Sequence, residues 1–197
     1  MAFRAGKSSR DQFMDSRERW PYVFVFVGLV LTAFGSAYYH FAPDNARLVW
    51  DRLPMTLVFI PLVAALIAER INIKLGLWLL PVLIAIGVGS VIQWHLSEQR
   101  GAGDLRFYAA VQLYALLALL AALLLPPRYT RGSDLLVVAS LYALAKIHEA
   151  TDRQIFSLGN LLSGHTLKHL AAGAAGIWVL RMLQKRRPIS TPPRAGI

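Results

Sequence analysis

The chain has 197 residues, 56% of them hydrophobic, with a mean hydropathy of +0.47 and a formal net charge of +10. That is too apolar for an ordinary soluble domain, and its basic residues cluster at the ends of long apolar runs, which argues for a bilayer and against nucleic acid as partner. There is no cysteine, so disulfides and thiolate metal sites are excluded and any metal must be held by histidine and carboxylate.

Residues 1–19 are polar and basic (Arg4, Lys7, Arg10, Arg17, Arg19) and read as a cytosolic tail. The first apolar run, from Trp20 to about His40, is predicted as a retained membrane helix. A basic start followed by an apolar run and the small residues Gly35-Ser36-Ala37 also fits a signal peptide, but the length of the run favours the helix. Phe41 to Val49 reads as a loop, with Pro43-Asp44-Asn45 as its turn. A second helix is expected from about Trp50 to Ala68, with Pro54 near its start, where proline is tolerated, and Pro61 deeper, where it should bend the helix.

A third helix runs from about Leu75 to His95 and contains Pro81. After the polar loop Ser97–Gly103, a fourth runs from Leu105 to Leu125 and stops at Pro126-Pro127. A fifth spans Ser133 to Glu149. Thr151–Leu162 is a connection with room for a short helix, and a sixth helix runs from Ser163 to Leu183. The basic, proline-rich segment from Gln184 to Ile197 has the composition of a tail without fixed structure. The expected fold class is an all-α membrane protein, a bundle of about six transmembrane helices. Its parts are an N-terminal tail (1–19), a membrane domain (20–183) and a basic C-terminal tail (184–197).

Six spans put both termini on one side. Leaving out Lys146 and Lys168, which lie within helices, that side carries fourteen Lys and Arg and the other five, namely Arg47, Arg52, Arg100, Arg106 and Arg153. The bias predicts cytosolic termini, which in a bacterium means the cytoplasmic membrane. The same topology brings His40 at the end of helix 1, Asp51 at the start of helix 2 and His165 at the start of helix 6 to one level, near the outer face.

Ser36 and His40 are four residues apart, as are His165 and His169, so each pair shares a helix face. Polar groups at such depth are costly and are functional candidates by default. Three neutral imidazoles with one open position make a catalytic zinc site. A carboxylate beside the water, Asp51, can take its proton and return it to a leaving group. A hydroxyl one turn from a ligand, Ser36, can orient that water or donate to a developing oxyanion. Together they describe an intramembrane amide or ester hydrolase fed from the lipid phase.

Each residue also has a plainer reading. His40 fits an interfacial residue beside Tyr38 and Tyr39, Asp51 a carboxylate favoured by the helix dipole, and Ser36 a small packing residue. His95 and His148 read as interfacial residues or as neighbours of the site. Glu149 and Asp152 read as solvated, or as groups that hold a ligand imidazole. Lys168 is expected to snorkel outward, and the Tyr and Trp residues to form an interface belt.

The order Ser-x-x-x-His, an Asp eleven residues after that His, then a late His-x-x-x-His, here Ser36, His40, Asp51, His165 and His169, resembles the signature of a membrane hydrolase superfamily. That superfamily includes the alkaline ceramidases, the adiponectin receptors and the haemolysin-III-like proteins. Gly35-Ser36 through His40, and Asp51-Arg52-Leu53-Pro54-Met55, are similar to segments of the ceramidase branch. Ser163-Gly164-His165-Thr166-Leu167-Lys168-His169 looks like bacterial ceramidase-like members. The resemblance implies zinc on His40, His165 and His169, with Asp51 and Ser36 acting on water and the substrate carbonyl. The implied reaction converts a ceramide-like lipid to sphingoid base and fatty acid.

Two features depart from that pattern. The family usually has seven spans with the Ser/His helix second, whereas here it is first. The acidic, Trp-containing calcium site of eukaryotic members is also missing, since the N-terminal tail has only Asp11, Asp15 and Glu18 among its basic residues. A competing expectation is a non-enzymatic, receptor-like or scaffold membrane protein with a structural zinc site. Haem is disfavoured, because histidines four apart on one helix point the same way and cannot ligate one iron from both faces.

Overall fold

The computed structural model describes residues 12–157 and 163–189. A 3-10 turn at Ser16–Glu18 leads into α1 (Arg19–Phe41), α2 (Asn45–Arg70), α3 (Ile73–Gln99), α4 (Arg106–Ala122), α5 (Asp134–Ala150), the short α6 (Asp152–Ser157) and α7 (Gly164–Lys185). Among the described residues there is no strand, only one isolated antiparallel bridge between Tyr129 and Pro188. The chain is all-α. Three helices, the ones containing α1, α2 and α3, are long and apolar enough to cross a membrane, and α4 is a shorter apolar helix. Residues 1–11, 158–162 and 190–197, which belong to the two tails and the α6–α7 connection, lie outside the described residues.

α2 is the central element. Its apolar stretch is 72% buried, against 28% for those of α1 and α3, so α1 and α3 present most of their apolar surface outward. α2 also begins earlier than its hydrophobicity indicates. Asp44 caps it by accepting from the Arg47 backbone N–H at 2.7 Å, so Asp44-Asn45 is a helix start and not a turn. Asn72 caps α3 in the same way, accepting from the Leu75 N–H at 3.1 Å.

α2 continues through Pro54 and Pro61. Proline has no N–H, so the carbonyls of Trp50 and Leu57, four residues earlier, lose their helical donors. α1 meets those two carbonyls with glycine. A Cβ on Gly35 would lie 1.9 Å from the Trp50 oxygen, and one on Gly28 2.7 Å from the Leu57 oxygen. The prolines and the glycines are both seven residues apart, so the two close approaches recur in step along the α1–α2 contact. This fixes Ser36 next to Gly35, and Asp51 next to Trp50, at the same height.

The ends of the described chain meet at the far end of the bundle. Arg186, 3% exposed, donates from Nη1 to Glu69 Oε1 at 2.5 Å and from Nε to the Gln12 carbonyl at 3.3 Å. The Thr130 N–H donates to the Arg187 carbonyl and the Ile189 N–H to the Arg128 carbonyl, both at 2.9 Å. Glu18 is 1% exposed and accepts from the Tyr129 hydroxyl. The described parts of both tails, residues 12–19 and 184–189, are therefore packed against the bundle where composition alone reads them as solvated. Burial and the Glu18 carboxylate hold the Tyr129 phenol well above its ordinary pKa.

The aromatic residues divide. Trp20, Trp50 and Trp78 are exposed, as an interface belt requires, whereas Trp94, Tyr22, Tyr108 and Tyr129 are buried. Trp94 is covered by the Arg52 guanidinium, 4.0 Å above its ring, which accounts for its departure from the belt.

Candidate metal centre

The end of α1, the second turn of α2 and the start of α7 come together at one end of the bundle. His40, His165 and His169 each offer a ligand atom within 4.8 Å of the others, the one such group among the described residues. His165 Nε2 and His169 Nε2 are 3.0 Å apart. The His40 ring centre lies 4.8 Å from that of His165 and 6.3 Å from that of His169, at the exposed rim. Zinc–nitrogen bonds of roughly 2.0–2.1 Å at tetrahedral angles separate ligand nitrogens by about 3.4 Å. Two imidazole nitrogens in contact need a proton or a cation between them, so this donor set fits a borderline-soft cation such as zinc.

Asp51 is fully buried beneath the rings. Its Oδ1 is 3.3 Å from His169 Nε2 and its Oδ2 is 3.6 Å from His165 Nε2. Oδ1 has no aligned hydrogen bond. Because α2 starts at Asn45, Asp51 is in the second turn, past the positions where the helix dipole accounts best for a carboxylate. Ser36 is buried, with Oγ 3.0 Å from His169 Nε2. All five residues singled out by spacing are thus neighbours.

Lys168 departs from expectation. It is 2% exposed and points inward, with Nζ 3.4 Å from Asp51 Oδ2, 3.5 Å from Glu149 Oε1 and 3.4 Å from His165 Nδ1. Two carboxylates inside the bundle offer more than the interface does, so the side chain does not snorkel. The signal was in the spacing. His165 and Lys168 are three apart and share a helix face as surely as the histidine pair does.

Glu149 also pairs with Lys146, so it steadies the lysines and not an imidazole. Asp152 accepts the His165 backbone N–H at 2.7 Å and pins the first turn of α7. Ser163 caps that helix through the Thr166 N–H, at 3.1 Å. His95 lies apart, its Nε2 3.1 Å from Gln99 Nε2. His148 also falls outside the trio and serves through its backbone, since its carbonyl lies 2.1 Å from where a Cβ on Gly164 would be.

Two apolar spaces end on His169. A narrow cavity of ≈ 80 Å³ runs from Lys168 and His169 past Met55, Phe59 and Leu62 to Leu66 and Val179. On α7, Lys168 to Val179 is a rise of about 16 Å. A wider groove of ≈ 490 Å³ lies between α1 and α7, with Ser36 and His169 lining it alongside Phe26, Ala33 and Gly173. The arrangement can hold a cation next to a carboxylate and a hydroxyl, beside two apolar spaces. No protein-family model, curated protein or solved structure matches this chain.

Proposed function

We propose that the chain is an intramembrane, zinc-dependent hydrolase that cleaves the amide bond of a ceramide-like lipid to a sphingoid base and a fatty acid. The observation that carries this reading is the juncture of Ser36, His40, Asp51, His165 and His169 at the mouth of an apolar cavity. His40, His165 and His169 would hold the ion. Zinc, when bound there, supplies Lewis-acid charge and makes hydroxide accessible near neutral pH.

The chain's own groups do the rest. Asp51 accepts a proton as water adds its oxygen to the amide carbonyl carbon. The same proton then passes to the nitrogen as the C–N bond breaks, leaving an amine and a carboxylic acid, and the acid's proton, the second from the water, then moves to the amine to give ammonium and carboxylate. The Ser36 hydroxyl stands beside His169 and donates to the oxygen that gains charge. Lys168 offsets the charge of Asp51 and, with Glu149, holds it in place. The groove between α1 and α7, which Ser36 and His169 line, is the one with room for a lipid chain, while the narrow cavity toward Leu66 and Val179 takes only a few methylenes.

The fourteen-to-five distribution of Lys and Arg supports cytosolic termini and a site facing the outer leaflet of a bacterial cytoplasmic membrane. A C-terminal alkaline-phosphatase fusion should then be inactive, and an active fusion reverses the orientation. The activity itself is tested by incubating purified protein with a panel of ceramides. Fatty acid release that a zinc chelator abolishes is expected. Bound zinc with no turnover on any amide or ester lipid would instead select the scaffold reading.

A further inference from the structure

A second set of buried polar side chains lies at the same end of the bundle, on the other side of Lys168 and Glu149. α4 carries Tyr108 and Gln112 four residues apart and therefore on one face; they are 4% and 3% exposed. Arg52 reaches them from α2, with its guanidinium 5.5 Å from the centre of the Tyr108 ring. Tyr108 Oη, Gln112 Nε2 and Arg52 Nη1 are all buried, and none has a hydrogen-bond partner among the described residues.

These three residues line one groove of ≈ 470 Å³ between α4 and α5. Its remaining charged residues, Lys146 and Glu149, pair with each other, and Glu149 also meets Lys168. Arg52 is left as a cation with no carboxylate within ion-pair distance among the described residues. The rest of the lining is Tyr142, whose hydroxyl already donates to the Gln112 carbonyl at 3.2 Å, and the apolar Leu105, Ala109, Leu113, Leu116 and Ala150, of which Leu113 is 57% exposed.

Buried donors in native proteins almost always find an acceptor. Three donors around one groove, one of them a guanidinium, match the paired oxygens of an oxyanion. The polar residues lie close to helix ends, with Tyr108 in the first turn of α4 and Glu149 in the last turn of α5. That is the depth at which a bilayer carries its phosphates. The apolar strip then continues along α4 toward the bilayer interior, where an acyl chain lies.

We propose that the groove between α4 and α5 is a binding site for an anionic phospholipid. Arg52, Tyr108 and Gln112 receive its phosphodiester oxygens, and a chain lies over Leu113 and Leu116. With Glu149 paired to Lys146 and Lys168 shared between Glu149 and Asp51, Arg52 leaves the groove with a positive excess, which favours a headgroup of net negative charge over a zwitterion. The site rests on membrane embedding and on its own donors; the hydrolytic reading does not enter.

The test is native mass spectrometry of the detergent-purified protein after exposure to phosphatidylglycerol, phosphatidylcholine or oleate. Phosphatidylglycerol should be retained by the wild type and equally by His169→Ala, so the outcome is independent of the metal centre. Arg52→Gln and Gln112→Met should each retain it at least about tenfold more weakly, in line with loss of one charge-assisted contact. Arg52→Lys, which keeps the charge and loses the fork, should fall between. Equal retention of phosphatidylglycerol by all the folded variants would overturn the site. A preference for phosphatidylcholine or oleate would overturn the assignment of its ligand.

Discussion

At the end of the bundle where the chain termini meet, Arg186 is enclosed by Glu69 at 2.5 Å and by the rings of Tyr129, Phe13 and Tyr22 at 4.1, 4.7 and 5.3 Å. Tyr22 adds its hydroxyl to Glu69 at 3.0 Å. At the opposite end, Asp51 lies under two imidazoles whose nitrogens face each other at 3.0 Å. Each cluster has a buried carboxylate and mixes acids with bases. The first is largely matched within itself, with a guanidinium paired to one carboxylate and stacked on three rings, although Arg186 Nη2 has no hydrogen-bond partner among the described residues. The second brings like acceptors together and opens into two apolar spaces. Burial of charge alone therefore does not mark a site. What sets the second cluster apart is a pair of imidazole nitrogens in contact with no cation of their own between them, beside two apolar spaces.

If the two ends differ in this way, substitutions should separate them. Asp51→Asn keeps size and polarity, so the fold and bound zinc should survive while turnover falls by roughly 10²–10⁴-fold for lost general-base catalysis. Ser36→Ala should cost up to about 10²–10³-fold, by the same steady-state assay, if its hydroxyl donates to the oxyanion. Wild-type turnover in Asp51→Asn would remove it from the chemistry. Arg186→Ala should do the reverse. It leaves Glu69 buried without its cation, which costs about 3–5 kcal/mol. Unfolding in a graded detergent titration should show that loss, while the protein that remains folded keeps its zinc. Zinc lost from folded Arg186→Ala would mean that the two ends are not independent.

The separation bears on what could be read from the sequence. Spacing and parity sufficed at the histidine end. Ser36–His40 and His165–His169 are one helical turn apart, and alternating helices must bring the end of α1 and the starts of α2 and α7 to one level. Lys168 lay in the same periodicity but was assigned outward, because a lone lysine in an apolar helix has no visible partner until Asp51 and Glu149 are placed. The Arg186–Glu69–Tyr22 cluster joins residues 117 and 164 positions apart, and no local pattern predicts such a pairing. The start of α2 is ambiguous in sequence for a local reason: Asp44-Asn45 after Pro43 serves a turn and an N-cap equally well, and the structure has the cap.

Gly35→Ala probes the link between scaffold and site. Its methyl would overlap the Trp50 carbonyl, and overpacking of this kind costs about 1–3 kcal/mol. Because Ser36 and Asp51 flank that contact, turnover should fall more than stability does. Gly28→Ala, at the matching contact two turns away, should lower stability by a similar amount with a smaller effect on turnover. Equal turnover losses in the two variants would detach the site from the α1–α2 register. The smallest effect is expected from calcium. The N-terminal tail offers only Asp11, Asp15 and Glu18, short of the six to eight oxygen ligands calcium takes. A calcium-selective chelator that spares zinc should leave activity unchanged, and a large loss would point to a calcium site formed elsewhere.

The central claim is that the three histidines, and not the carboxylate, hold the metal. Elemental analysis of zinc per folded protein in wild type, His40→Ala, His165→Ala, His169→Ala and Asp51→Asn tests it most directly. The account predicts about one zinc in the wild type and in Asp51→Asn, and its near-complete loss in each histidine variant, where only two protein ligands remain. Full zinc in His165→Ala or His169→Ala would contradict it. Loss of zinc in Asp51→Asn would make Asp51 a ligand and leave the proton acceptor unassigned.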